Sequence, residues 1–266
     1  HCMKFGLCPL SAVPMRSEPS HRSEMVNQML FGEACSVVDE QDEWVRIRLA
    51  HDGYEGWMLR AQLLPLDEDT YQEYCSVQPV LVGDTVELLE HESRATKARV
   101  LLAGSYLPGY DAASGRVTLG TQTYFFNGRL AEPARSREEL LLQAYLFLNA
   151  PYQWGGRSLF GLDCSGFTQM VYRLAGVSLL RDASQQATQG ETLSFLEESL
   201  PGDLAFFDND EGRITHVGIL VRPDQIIHCS GQVRLDGIDQ HGIYNFELRK
   251  HTHRLRLIKS VVTLPV

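Results

Sequence analysis

A single cysteine stands between Asp163 and Ser165 in FGLDCSGFTQMVYRLAG (160–176), where the residue pattern takes on a helical period. Cys164, Phe167, Val171, Leu174 and Ala175 fall on one face of an amphipathic helix. Asp163 is placed to cap its start and Gly176 to let the chain leave it. Cys164 then sits in the first turn, where unpaired N–H groups and the helix dipole favour an anion. Its thiol is therefore expected to ionise more easily than a free one. The plain alternative is packing, because free cysteine is among the most buried residue types.

Partners decide between the two. A thiol nucleophile needs a base within reach and a third group to orient that base. His216 opens HVGILV (216–221), whose alternation sends His216, Gly218 and Leu220 to one face. His228 interrupts IIHCS (226–230), beside Cys229. With RPDQ (222–225) as the turn, the two strands run antiparallel and both rings can point to one side. A Cys164 helix packed on that sheet completes a relay of nucleophile, base and orienter. Cys, His and His can also bind zinc. That reading lacks any local ligand pair such as H-x-x-x-H, and it draws each ligand from a different element. His241, His251 and His253 are read as ordinary hydrogen-bonded residues.

The elements that must position these side chains are legible in outline. EWVRIRL (43–49) alternates, AHDG (50–53) is a turn signal and YEGWML (54–59) resumes in extended form. The acidic stretch 64–80 reads as a linker or short helix. DTVELLE, KARVLLAG, GRVTLG and QTYFFNG follow as strands, around a broad loop at 107–115. Two successive all-β units of about 60 residues suggest small barrels, which remove exposed sheet edges. Near residue 134 the period changes. SREELLLQAYLFLNAP carries a capping box at Ser136 and Glu139 and a stop at Pro151. The Cys164 helix, a shorter helix after RDASQQATQG and a run of strands complete an α+β domain.

The chain has 266 residues, 44% of them apolar and 22% charged, enough for a sizeable core and two or three domains. A net charge of −10 with no basic patch among aromatics argues against a nucleic-acid partner. No run approaches the roughly 18 apolar residues of a membrane span. The six cysteines are scattered without a C-x-x-C pair, which excludes a zinc ribbon or thioredoxin motif and makes no disulfide scaffold. A chain opening at His1 reads as a mature or trimmed product, which leaves an exported, periplasmic compartment and the cytoplasm both open.

LDCSGF (162–167), GDLAFF…HVGI (202–219) and IIHCSG (226–231) resemble, in order, three signature blocks of the NlpC/P60 cysteine peptidases. PYQWGG (151–156) and RDASQQA (181–187) are similar to that family too, and the resemblance covers about 134–266. SEMVNQMLFGE (23–33) and DGYEGWML (52–59) resemble bacterial SH3-like domains. The resemblance implies barrels over 1–65 and 66–132, then a papain-like catalytic domain over 133–266. This order resembles the dipeptidyl-peptidase VI type, which cuts γ-D-glutamyl–diamino acid bonds of murein peptides. It implies Cys164 as nucleophile, His216 as base and His228 as orienter, with no cofactor and no metal. The Cys164 N–H and the Tyr152 hydroxyl are expected to hold the oxyanion. Enzymes of this type read a free N-terminal L-Ala. Asp182 is the first candidate for that ammonium, then Glu24 and Tyr54, should the first barrel cover the cleft. Trp154 is expected to wall the pocket, Ser165 to bind the D-Glu carboxylate, and Asp163 to belong to the same substrate side. The alternatives are an amidase or acyltransferase with the same thiol chemistry, and a cell-wall binding protein whose peptidase-like domain is inactive.

Overall fold

The structure, a computed structural model, describes residues 2–266, so the first residue of the expected 1–65 barrel lies outside the described residues. The chain divides into two compact units, meeting between Ala131 and Glu132. Among the described residues no helix is long and apolar enough to cross a membrane.

The first unit opens with seven antiparallel strands: β1 (Phe5–Leu7), β2 (Ala12–Arg16), β3 (Met25–Leu30), β4 (Ala34–Gln41), β5 (Trp44–Leu49), β6 (Glu55–Leu59) and β7 (Leu64–Leu66). Their hydrogen-bonded order is β3-β2-β6-β5-β4-β1-β7. Alternation in β5 does what a period of two must. Val45, Ile47 and Leu49 enter the core, while Arg46 and Arg48 face out and each pairs with Glu55 on β6. The acidic stretch after β7 forms helix α1 (Glu68–Ser76), capped by the Asp67 carboxylate, which accepts from Thr70 N at 2.8 Å. Four more strands follow: β8 (Val86–His91), β9 (Arg99–Leu102), β10 (Arg116–Leu119) and β11 (Gln122–Phe126), in the order β10-β11-β8-β9. The first sheet encloses a core of its own around Val13, Val45, Ile47 and Met58, and a second cluster joins the two sheets. Leu7 and Phe31 from the first pack into one buried cluster with Leu89, Leu101, Tyr124 and Phe126 from the second.

The second unit begins with α2 (Arg137–Leu146), the short pair β12 (Arg157–Ser158) and β13 (Gly161–Leu162), α3 (Cys164–Leu174) and α4 (Ala183–Gln186). Its sheet comprises β14 (Glu191–Leu193), β15 (Leu204–Asp208), β16 (Ile214–Arg222), β17 (Gln225–Ser230), β18 (Gln232–Asp239), β19 (Gly242–Asn245) and β20 (Lys250–Ser260). β20 pairs with β15 on one side and β19 on the other, so the six strands from β15 to β20 close into a ring. Helices first and an antiparallel sheet afterwards is the α+β arrangement expected from the residue pattern.

Two helices depart from expectation. Ser136 caps α2, but Glu139 turns its carboxylate to the N–H and guanidinium of Arg135, and the helix ends at Leu146, well short of Pro151. Asn149 takes a left-handed φ of 69° there and turns the chain first. The amphipathic pattern of α3 predicts one solvated face, yet all its residues are buried. Its polar side chains are matched rather than solvated: Thr168 donates to Gln186 Oε1 at 2.7 Å, and Gln169 donates to Leu179 O at 3.1 Å. Tyr172 donates its hydroxyl to Gly202 O.

The buried guanidinium of Arg137 ties α2 to the end of the chain. It bonds Asp203 Oδ1 at 2.8 Å and donates to the carbonyls of Pro201, Val262 and Leu264. Removing one partner of a buried pair strands the other charge. Asp203→Ala is therefore expected to lower unfolding free energy by about 3–5 kcal/mol, read by urea denaturation. Glu211→Ala, which breaks the exposed pair with Arg213, should cost under about 1 kcal/mol.

Candidate active site

Cys164 is the first residue of α3, and its position is set by the carboxylate before it. Asp163 Oδ1 accepts from Gly166 N at 2.7 Å, the N-cap bond that satisfies one free donor of the first turn. Asp163 Oδ2 accepts from Gly155 N at 2.9 Å, and Arg181 grips both oxygens at 2.8 Å each. Gly166 is required by this crowding: a Cβ there would lie 2.2 Å from Gly156 O and 2.9 Å from Asp163 Oδ1. The Ser165 hydroxyl accepts from Arg181 at 3.0 Å. Asp163 and Ser165, expected on the substrate side, also hold the helix start.

The thiol lies against β16 on both sides of His216. Its Sγ is 3.8 Å from Thr215 O, and it takes a bond from the Val217 N–H. Burial pushes it up to about 12, and the neighbouring Asp163 charge adds to this, outweighing the Val217 N–H and Arg181. Burial thus works against the easily ionised thiol that the helix start alone would favour. The helix start contributes what it was expected to, but desolvation of a thiol only 8% exposed is larger.

Strand register explains how the histidines meet. His216 pairs with Phe207, His228 with Gly218, and Asp236 with Ile226, which puts all three polar side chains on one face. His228 stands opposite a glycine. A Cβ at Gly218 would come within 2.7 Å of Ile226 Cδ1 and 2.9 Å of the His228 Cβ, so the missing side chain leaves room for both residues on this face. His216 Nε2 and His228 Nδ1 are 2.9 Å apart, and His228 Nε2 lies 2.7 Å from Asp236 Oδ2. This chain fixes the tautomers. The carboxylate requires Nε2–H on His228, whose Nδ1 then accepts the Nε2–H of His216. The lone pair left over is His216 Nδ1, on the strand segment against which the thiol lies.

Asp236 is itself held by Arg234 through bonds of 2.8 and 3.2 Å. Burial works to raise this carboxyl, but the His228 and Arg234 bonds outweigh it and keep it below its ordinary value. Burial, then His228, then His253 hold His216 well below the usual histidine range. His253, read as an ordinary residue, stacks on the His216 ring at 4.1 Å and 25°. Burial therefore disfavours the charged form of both Cys164 and His216.

Tyr152 is held by its backbone between Gly231 and Leu162, and its hydroxyl is pushed up to about 12 by burial and then by the nearby Cys164. Trp154 is 63% exposed on the turn that supplies Gly155. Asp182 is half-buried at the start of α4, where its N–H donates to Gln185 Oε1 at 3.0 Å. Glu24 and Tyr54 lie in the first unit, Glu24 exposed and Tyr54 packed against its core. Asp236, Arg181 and His253 escaped the sequence reading. The available signals were an acid inside the strand-like VRLDGI, an arginine beside the chosen Asp182, and a histidine alternating with charged residues in HTHRLRL.

A methyl group at Gly218 should push the His228 ring off His216. In Gly218→Ala, the hydrogen-bonded imidazole N–H of His216 is expected to lose its protection from exchange in NMR spectra, while the backbone amides of β16 keep theirs.

Comparison with known proteins fits this geometry. The sequence profile of the NlpC/P60 family matches residues 149–254, and that of the bacterial dipeptidyl-peptidase SH3 domain matches 15–63. A Bacillus subtilis protein named γ-D-glutamyl-L-lysine dipeptidyl-peptidase is 32% identical over 216 residues, covering 76% of this chain and 71% of its own. Dipeptidyl-peptidase 6 of Lysinibacillus sphaericus is 27% identical over 256 residues, covering 87% of this chain and 91% of its own. The crystal structure of a Bacillus cereus NlpC/P60 family protein superposes with a TM-score of 0.81 at 21% identity, over 97% of this chain and 99% of that one, and shares the fold. The chain belongs to the NlpC/P60 family of cysteine peptidases, with a bacterial dipeptidyl-peptidase SH3 domain ahead of the peptidase domain.

Proposed function

We propose that this peptidase cleaves the γ-D-glutamyl–diamino acid bond of murein stem peptides bearing a free N-terminal L-Ala, releasing L-Ala-γ-D-Glu. The observation that carries the reading is the continuous chain from His216 through His228 to Asp236, beside a thiol at a helix start. Two relatives are named for a γ-D-glutamyl-L-lysine substrate, which supports lysine as the first diamino acid to test.

The neutral resting pair sets the order of events. His216 Nδ1 takes the Cys164 proton as the sulfur attacks the γ-carbonyl of D-glutamate, so charge appears only while the new S–C bond forms. The carbonyl oxygen becomes an oxyanion, held by the Cys164 N–H and the Tyr152 hydroxyl. His228 and Asp236 stabilise the imidazolium through the second nitrogen. Collapse breaks the C–N bond, and His216 returns its proton to the leaving amine. A water then gives a proton to His216 and attacks the thioester; the thiol is restored and the dipeptide leaves with a new carboxylate. Asp182 is the first candidate to receive the L-Ala ammonium.

The reading is tested with L-Ala-γ-D-Glu-L-Lys, its diaminopimelate counterpart, and each peptide acetylated at the amine, with products followed by mass. Cleavage of the free peptides alone is expected, and Asp182→Asn and Glu24→Gln should narrow that preference if either reads the amine. Cleavage of neither peptide refutes the proposal in favour of another acyl-transfer substrate or a binding role. Cys164→Ala should lose at least about 10⁴-fold in kcat. Tyr152→Phe should lose about 10²–10³-fold in kcat with KM nearly unchanged. Because His216 works as a neutral base and its affinity for a proton is depressed, the rate should hold as pH falls through 6.5 and drop only below it. On the alkaline side the rate should fall as the substrate's L-Ala ammonium loses its proton, near the ordinary α-amino value of about 8, because the thiol itself is pushed up to about 12.

A further inference from the structure

We propose that His216, His228 and His253 form a three-imidazole site for a divalent transition ion of the zinc class, and that an ion held there switches the catalytic base off. One nitrogen from each ring lies within 4.8 Å of the other two. His253 stacks on His216 at 4.1 Å, and His228 meets both rings edge-on, at 89° and 82°. The two stacked planes must open before their in-plane lone pairs can meet one ion, and the third ring supplies its own from the flank. Tetrahedral zinc with Zn–N of about 2.0–2.1 Å needs nitrogens roughly 3.3 Å apart. His216 and His228 stand at 2.9 Å as hydrogen-bond partners, so an ion must part them slightly and turn both lone pairs to itself, while His253 supplies the larger movement. That ring is the half-buried member of the three, which also gives an ion its way in.

The outer partners fit the same purpose. Metal-bound histidines commonly place the other nitrogen on a carboxylate or hydroxyl, which fixes the ring and raises its basicity. His228 has Asp236 at 2.7 Å, and His253 has the Thr252 hydroxyl 2.8 Å from Nδ1. Imidazole donors suit zinc, copper and nickel over magnesium or calcium. His253 is also unaccounted for by the peptidase chemistry. A third imidazole stacked on the base only opposes the imidazolium that catalysis must form.

The switch follows from proton bookkeeping. A neutral imidazole carries one N–H, and in His216 it is on Nε2, donated to His228. An ion at Nε2 breaks that hydrogen bond and moves the same proton to Nδ1. The lone pair that would take the Cys164 proton is gone, with no proton released and no other bond changed. Binding stands independently; the switch rests on the peptidase reading.

The binding test uses the full chain carrying Cys164→Ala, so that the thiol cannot ligate, titrated with cobalt(II) and then zinc. One cobalt per chain is expected, with the visible absorption of a histidine-bound ion that zinc displaces. Adding His253→Phe keeps the stacked ring but removes its nitrogens. It should raise the cobalt Kd by at least the roughly 10–100-fold that loss of an outer partner costs, and His253→Gln should do the same. Equal affinity with and without His253, in variants with unchanged melting curves, overturns the site. With the thiol present, micromolar zinc should suppress peptide cleavage and EDTA restore it. An unchanged zinc midpoint in His253→Phe, relative to its own zinc-free rate, overturns the switch. A chain that binds cobalt through His253 yet cleaves no peptide even with EDTA supports the site and counts against the peptidase reading instead.

Discussion

Everything at the thiol hangs on one carboxylate. Asp163 joins three segments that are distant in sequence: the turn at Gly155, the first turn of α3 at Gly166, and Arg181 beyond that helix. A buried ion pair of this kind contributes little net stability, because desolvating both charges offsets most of their attraction. Its contribution is positional. With both oxygens held by two backbone N–H groups, the Arg181 guanidinium and the Ser165 hydroxyl, the residue after Asp163 has almost no freedom, and that residue carries the sulfur.

Burial then decides what kind of thiol this is. A helix start and a nearby arginine favour a thiolate, yet they work on a side chain almost wholly removed from water, between an aspartate and a strand backbone. Desolvation wins. The same reasoning applies to His216, which is buried among two other imidazoles. A relay assembled from neutral members keeps an inert sulfur until a substrate carbonyl arrives. It relies on the Asp236 carboxylate, fixed in turn by Arg234, to stabilise charge when it forms.

The sequence showed what depends on neighbours along the chain. Asp163 as a cap, Cys164 in the first turn, and the strands carrying His216 and His228 were all legible, because capping and a period of two are local properties. β18 and the four-residue β19 carry no clean alternation, so the role of Asp236 is not legible from its neighbours along the chain. Its role exists only through the register that sets His228 opposite Gly218 and brings Asp236 alongside. His253 was misread for the same reason: its strand reaches His216 only because β20 pairs across the sheet with β15. The thiol's acidity failed differently. The local field was read correctly, but the depth of burial is a property of the whole unit.

The ring of strands also orders events in time. β20 joins β15 to β19, and the last residues of the chain lie under the Arg137 guanidinium at the start of the unit. On the ribosome, the thiol, both histidines and Asp236 are all made before the strand that encloses them. A nascent chain therefore carries each reactive group without the closed wall that aligns them, and pairings of such long sequence separation form slowly. The peptidase domain gains its working geometry only once β20 has paired with β15 and β19.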